Sequence, residues 1–151
     1  MRAQYDRYKK RLGDDAPKSF YAFKRLKNAG GDKWEELQRK YRDNGIVDNA
    51  VSCGIIKTDK QFGKKIGKHA VDFGLNASIE SDREKMNTII DDIFSNNDEI
   101  RIGKWSGQHS DVIFYIKGEN VVITKQNGEF ITILKGGISG GRVADARRVK
   151  I

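Results

Sequence analysis

Twelve residues, Gly63 to Gly74, hold the side chains best able to do chemistry: Lys64, Lys65, Lys68, His69 and Asp72. The stretch reads GKKIGKHAVDFG. Phe62, Ile66, His69 and Phe73 recur at i, i+4, i+7 and i+11, which places them on one face of a helix. Lys64 and Lys68 are four apart, as are Lys65 and His69, so a basic stripe borders that face. Partial desolvation and neighbouring positive charge both disfavour an imidazolium there. Such a histidine can take a proton from a ribose 2′-hydroxyl near neutral pH, or return one to a leaving 5′-oxygen. The lysines can hold the scissile phosphate and offset its growing charge. This chemistry needs neither a metal nor a cofactor. Asp72 can orient His69, pair with Lys68 or cap the helix end. Spacing alone equally admits a packed histidine beside a solvated lysine face.

The chain has 151 residues and a net charge of +8. That length suits one domain with a modest core, or a small domain with an appendage. The charge favours polyanionic partners: RNA, DNA or an anionic surface. Cys53 is the sole cysteine, so an intrachain disulfide is impossible and no zinc-type cluster is visible. No apolar run reaches about 18 residues and no signal peptide opens the chain. The expectation is a soluble protein with no membrane partner. Export would need another segment or protein.

Three basic helical stretches precede the chemistry-bearing one. The first covers Arg2 to Leu12, with Tyr5, Tyr8 and Leu12 on one side, and stops at Gly13. Pro17 suits the first turn of a second, running to about Asn28 and carrying Phe20, Phe23 and Leu26. Gly30 and Gly31 break it, and Asp32 is a candidate cap for a third helix bearing Trp34, Leu37 and Tyr41. Aromatics among Lys and Arg fit either nucleic-acid contact or the small core of a helical hairpin. Asn44-Gly45, Asp48-Asn49 and Ser52-Cys53-Gly54 point to a linker over 46–59, between a helical segment 1–45 and a domain 60–151.

After Gly74 a second helix is predicted from Ser81 to Ser95, with Ser81 and Glu84 at capping-box spacing and Met86, Ile89, Ile90 and Ile93 as core. The period then changes to two. Strands are predicted over 111–117, 121–125 and 129–135, with a possible earlier one over 99–105, and Gln126-Asn127-Gly128 signals a hairpin. Two helices on an antiparallel meander make an α+β fold. Alternation puts Phe130, Thr132 and Leu134 on one face of the last strand. Thr132 is then either an ordinary strand residue or a hydroxyl donor to a phosphate oxygen. Trp105 can stack on a base or cover the core, while His109 reads as a surface residue. The tail with Arg142, Arg147, Arg148 and Lys150 fits a basic arm or a solvated terminus.

Two resemblances extend this reading. Residues 8–13, 16–20 and 33–42 resemble words that precede a variable module in tailed-phage minor head (head-morphogenesis) proteins. Residues 60–136 resemble the colicin D-like ribonucleases, within the wider barnase, EndoU, colicin and RelE-like group. The matching residues are Lys68-His69-Ala70, Asp72-Phe73-Gly74, the helix after them, the strand pair 121–130, and Lys135. The family's catalytic histidine and adjacent lysine fall on His69 and Lys68, a serine on Thr132 and a lysine on Lys135. Two positions depart. A family lysine meets Ile66, where Lys64 or Lys65 can substitute, and a family tryptophan meets Leu134.

The resemblance implies a tRNase of toxin type that cuts in the anticodon loop, with catalytic His69, Lys68, Thr132 and Lys135. Lys64, Lys65, Trp105 and Asp72 are expected to contact the substrate. It also implies action in a bacterial cytoplasm and an acidic immunity protein that covers the basic cleft. The competing reading is a phage head-associated structural or nucleic-acid-binding module with a catalytically silent nuclease fold, with phage head proteins as partners. A nucleic-acid-binding antitoxin is the weaker third.

Overall fold

The structure, a computed structural model, describes residues 1–150. They fall into two compact units, Met1–Asp48 and the chain from Asn49 onward. The fold is α+β, with a helical N-terminal segment, six helices in all and five antiparallel strands among the described residues.

The first unit is organised by aromatic side chains. Helix α1 (Arg2–Leu12) buries Tyr5, Tyr8 and Leu12 and stops where Gly13 turns to φ 55°. Helix α2 (Phe20–Ala29) begins three residues after Pro17, not at it. Ser19 is the effective cap, because its hydroxyl accepts the Ala22 N–H at 3.1 Å. Pro17 instead presents its carbonyl to the Tyr5 hydroxyl at 3.0 Å. Gly30, at positive φ, separates α2 from α3 (Gly31–Cys53), whose first residue is also at positive φ. Phe23 is fully buried, 5.2 Å from the Tyr8 ring and 5.5 Å from Trp34. Tyr8 stacks on Tyr41 at 4.1 Å. The aromatics of this unit are its core.

The linker expected over 46–59 is mostly helix. α3 continues through Asn44 and Gly45 to Cys53, leaving residues 54–58 outside regular helix. Gly45 sits under the Arg11 side chain: a Cβ at this position would stand 2.7 Å from its guanidinium, which would have to shift. That guanidinium donates to the Tyr41 carbonyl at 3.1 Å and lies 3.9 Å over the Tyr41 ring. Residue spacing cannot distinguish such a glycine from a helix breaker.

The second unit is a five-stranded sheet in the order β4-β3-β2-β1-β5, antiparallel throughout. Its strands are β1 (Glu99–Gly103), β2 (Val112–Lys117), β3 (Asn120–Thr124), β4 (Phe130–Leu134) and β5 (Arg147–Lys150). One face carries Ile102, Ile113, Tyr115, Val122, Thr124, Phe130 and Ile133, as the register shows. Helices α4 (Asp59–His69) and α5 (Glu80–Ser95) cover it, with Phe62 5.6 Å from Phe130 and Phe94 4.7 Å from Tyr115. The other face carries Phe114, Ile116, Val121 and Ile123. It is closed by Trp105, Ile138, Val143 and Ala146, the last two at the short helix α6 (Gly141–Asp145). Both faces are therefore apolar, and β2 reads buried along nearly its whole length.

Three expectations are corrected here. A bulge between Ile123 and Thr124 shifts the β4 register, so Thr132 pairs with Ile123 while Phe130 pairs with Thr124. Thr132 and Phe130 thus lie on opposite faces, and strict alternation fails at the extra residue, Ile131. The C-terminal residues are not a free basic arm. They form α6 and the edge strand β5, with Arg148 3.4 Å from Glu99 and Arg147 3.1 Å from Asp111. Ser81 does not cap α5, which starts at Glu80; the Asp82 carboxylate instead accepts the Asn76 N–H at 2.9 Å.

No helix among the described residues is long and apolar enough to cross a membrane.

Candidate active site

The start of helix α4 is placed by the turn of the β3–β4 hairpin and the first residues of β4. Ile56 donates to the Gly128 carbonyl and accepts from the Phe130 N–H, each at 2.8 Å, docking the segment before α4 onto the hairpin. Gly128, at φ 92°, is required there, since a Cβ would meet the Gly54 carbonyl at 2.3 Å. The Gln61 side chain donates to the Ile131 carbonyl at 2.7 Å, and Ile66 is buried beneath the helix. Lys57 reaches across to Asn87 and to Asp91, the latter at 2.5 Å, tying α5 to the same segment. Gln61 and Lys57 are positioning residues that sequence reading missed. Their partners lie 70 and 34 residues away, and no spacing rule links them.

At the far end of α4 the helix tightens into a 3₁₀ turn, Ala70–Phe73, and Gly74 stops it in the left-handed region at φ 72°. The tighter winding stacks residues three apart. It brings the Asp72 carboxylate to 3.3 Å from His69 Nδ1. His69 is largely covered, with 12 % of its side chain exposed against 48 % for Asp72. With the carboxylate accepting from Nδ1–H, Nε2 becomes the nitrogen that exchanges protons.

Three cations surround this pair in sequence: Lys64 and Lys68 are exposed and Lys65 is half-buried. None of the three forms an ion pair with a carboxylate among the described residues. Burial first, then the charges of Lys68 and Lys64, holds the Lys65 ammonium below the usual lysine range. These lysines crowd one another instead of being neutralised, so they are free to take an anion.

The remaining candidates lie elsewhere. Thr132 is 1 % exposed, on the face opposite α4, and its hydroxyl has no hydrogen-bond partner among the described residues. Trp105 covers the Phe114 side of the sheet, edge-on at 6.3 Å, and acts as a lid over core. Lys135 is exposed just beyond β4, a strand against which α4 packs. His109 lines a separate cavity of about 310 Å³ with Gln108, Lys125 and Asn127. His69, Asp72 and the lysines of α4 are thus the group that the fold assembles.

No protein-family profile, curated protein or solved structure matches this chain.

Proposed function

We propose that the sheet-bearing unit is an endoribonuclease that works by transesterification at His69. The observation that carries this reading is the oriented imidazole, with Asp72 3.3 Å from Nδ1 beside three lysines that have no carboxylate partner. In the reaction a ribose 2′-oxygen attacks the adjacent phosphorus and the P–O5′ bond breaks. The 2′-hydroxyl gives up its proton, the departing 5′-oxygen gains one, and the products are a 2′,3′-cyclic phosphate and a 5′-hydroxyl. His69 exchanges one of these protons through Nε2. Asp72 fixes the ring. Lys64, Lys65 and Lys68 hold the phosphate and stabilise the charge that gathers on it, and Lys135 is a further cation for the strand. Thr132 serves packing in this conformation and does not orient the phosphate.

The likeness to colicin D-type ribonucleases makes tRNA anticodon loops the first substrate to test. An unpaired loop can splay its bases into a cleft. An acidic protein seated on the α4 lysines is the matching form of inhibitor.

The test is incubation of the purified protein with total bacterial RNA in EDTA beside His69→Ala, followed by sequencing of the new 5′ ends. Discrete cuts in anticodon loops are expected, reduced about 10²- to 10⁴-fold in the variant, the range for one acid–base group. Intact RNA with both proteins, and no co-purified inhibitor, overturns the proposal in favour of a phage head-associated or nucleic-acid-binding module.

A further inference from the structure

A groove of about 590 Å³ opens beside the dyad, between the turn that carries Asp72 and helix α5. Phe73 and Leu75 form one wall. Ser81, Glu84 and Thr88, spaced i, i+3 and i+7 along α5, line the other with Ile89 and with Lys85, whose ammonium stands 3.9 Å from Asp82. Phe73, Leu75 and Ile89 are each half-buried. Ile89 reads as core from periodicity, yet it is the member of the α5 apolar set left partly open.

The groove is held in shape. Leu75 donates to the Ala70 carbonyl at 3.0 Å, closing the turn below it. The Asn76 N–H reaches Asp82 at 2.9 Å, and Arg83 donates to the Ala77 carbonyl at 2.8 Å, so the loop is clamped to the start of α5. Its size is within the ordinary range for small-ligand sites. Its chemistry is amphipathic: one aromatic ring and two aliphatic side chains, with a carboxylate, an ammonium and two hydroxyls along one edge. The Thr88 hydroxyl already donates to the Glu84 carbonyl at 3.1 Å, so toward the groove it can only accept. The Glu84 carboxylate is likewise an acceptor.

We infer that this groove receives one unpaired nucleobase of the RNA strand whose phosphate lies on Lys64, Lys65 and Lys68. The inference rests on the ribonuclease reading. A nucleobase fits this surface because its flat faces are apolar and its edge is polar. The base stacks on Phe73 and turns its edge to Glu84 and Thr88. Glu84 and Thr88 accept from a base amino group, and the Lys85 ammonium beside them donates to a ring carbonyl, so cytosine is served at both and uracil at the carbonyl alone. Charge complementarity assigns the rest of the strand: the turn passes directly from groove to dyad, and α4 supplies the cations. Phe73 is a specificity-determining contact on this account, with Glu84 setting base preference.

The test uses the full chain carrying His69→Ala, so that RNA is bound and not cut. Binding of a short single-stranded oligonucleotide is compared with the same oligonucleotide carrying an abasic site. Phe73→Leu keeps apolar bulk and removes the ring. It is expected to weaken binding of the intact oligonucleotide about tenfold, within the range for one aromatic–base stack, and to leave the abasic one unchanged. Glu84→Gln is expected to narrow the difference between cytosine- and uracil-bearing oligonucleotides. Equal losses for intact and abasic RNA, or no loss for either, overturn the inference. So does capture of an acidic protein at Phe73 with no base-dependent RNA binding, which gives the groove to a protein. The two readings fail separately. Base-dependent binding without cleavage by the parent chain keeps the groove and removes the nuclease. Cleavage indifferent to Phe73→Leu and to base identity does the reverse.

Discussion

The two units draw on the same residue types and use them in opposite ways. In the helical unit, two arginines are attached to aromatic rings: Arg2 stands 5.1 Å over Phe20, and Arg11 is 3.9 Å over Tyr41 while donating to its carbonyl. In the second unit, Lys64, Lys65 and Lys68 are left to crowd one another beside a histidine held by a carboxylate. Basic residues interleaved with aromatics are a composition, and composition does not separate structure from binding. The separation comes from what each cation already touches. A guanidinium engaged by a ring and a backbone oxygen has little left to offer a phosphate, whereas an ammonium with like-charged neighbours gains from receiving one.

The contrast breaks most readily at Phe23. If the aromatics of the first unit are core, Phe23→Ala removes a fully buried ring and destabilises that unit by about 3–5 kcal/mol. Near-UV circular dichroism and denaturant melts check this. RNA binding lost at unchanged stability would instead make the ring a ligand contact. The next effect in size is at the dyad. Asp72→Asn keeps the shape but no longer fixes the ring, and a drop of about 10² in cleavage rate is expected from misorientation. Because Asp72 is half exposed, the fold should be unaffected. A rate unchanged in Asp72→Asn and abolished in His69→Ala would strip Asp72 of its orienting role.

The lysines sharpen the comparison further. Each of Lys64→Gln, Lys65→Gln and Lys68→Gln should lower the salt slope of RNA binding by about 0.7, whereas Arg11→Gln should leave the slope unchanged and reduce stability. Lys65 adds a pH signature. Its ammonium is disfavoured in the folded chain, so at neutral pH the folded state bears a penalty that the unfolded state lacks. The unfolded chain then binds more protons between the lowered folded pKa and the ordinary lysine value. Stability therefore rises with pH across that window. Lys65→Gln should remove the rise. Equal pH profiles for the two proteins would show that the crowding is relieved in solution.

How far this was legible depends on the range of the interaction. Helix α1 follows from Tyr5, Tyr8 and Leu12 because a 3.6-residue period is local, and the hairpin at Gln126-Asn127-Gly128 because its turn chemistry is local. The pairing of His69 with Asp72 was one of three readings for a carboxylate three residues on, and the 3₁₀ turn selects it. What escaped is set by contacts distant in sequence. Gly45 reads as a breaker until Arg11, thirty-four residues earlier on α1, is seen against it. Arg147 and Arg148 read as a tail until Asp111 and Glu99 are placed beside them. Thr132 changed faces through one bulge, which period-two reasoning cannot register.

Two buried threonines give the finest test, and they lie on opposite faces of one sheet. Thr124, on the helix side, donates to the Lys125 carbonyl at 2.9 Å. Thr132, on the other side, is equally enclosed and its hydroxyl has no partner among the described residues. Valine has nearly the same shape as threonine without the hydroxyl. Thr124→Val therefore loses a hydrogen bond and should cost about 1 kcal/mol, while Thr132→Val relieves a desolvated, unpaired group and should stabilise by up to about 1 kcal/mol. Cleavage should be the same in Thr132→Val as in the parent. Thermal melts give the two signs and an RNA assay gives the activity. If Thr132→Val melts higher yet cuts about a hundredfold more slowly, β4 must open to bring that hydroxyl to substrate. The division between a chemical face and a packing face would then fail at this residue.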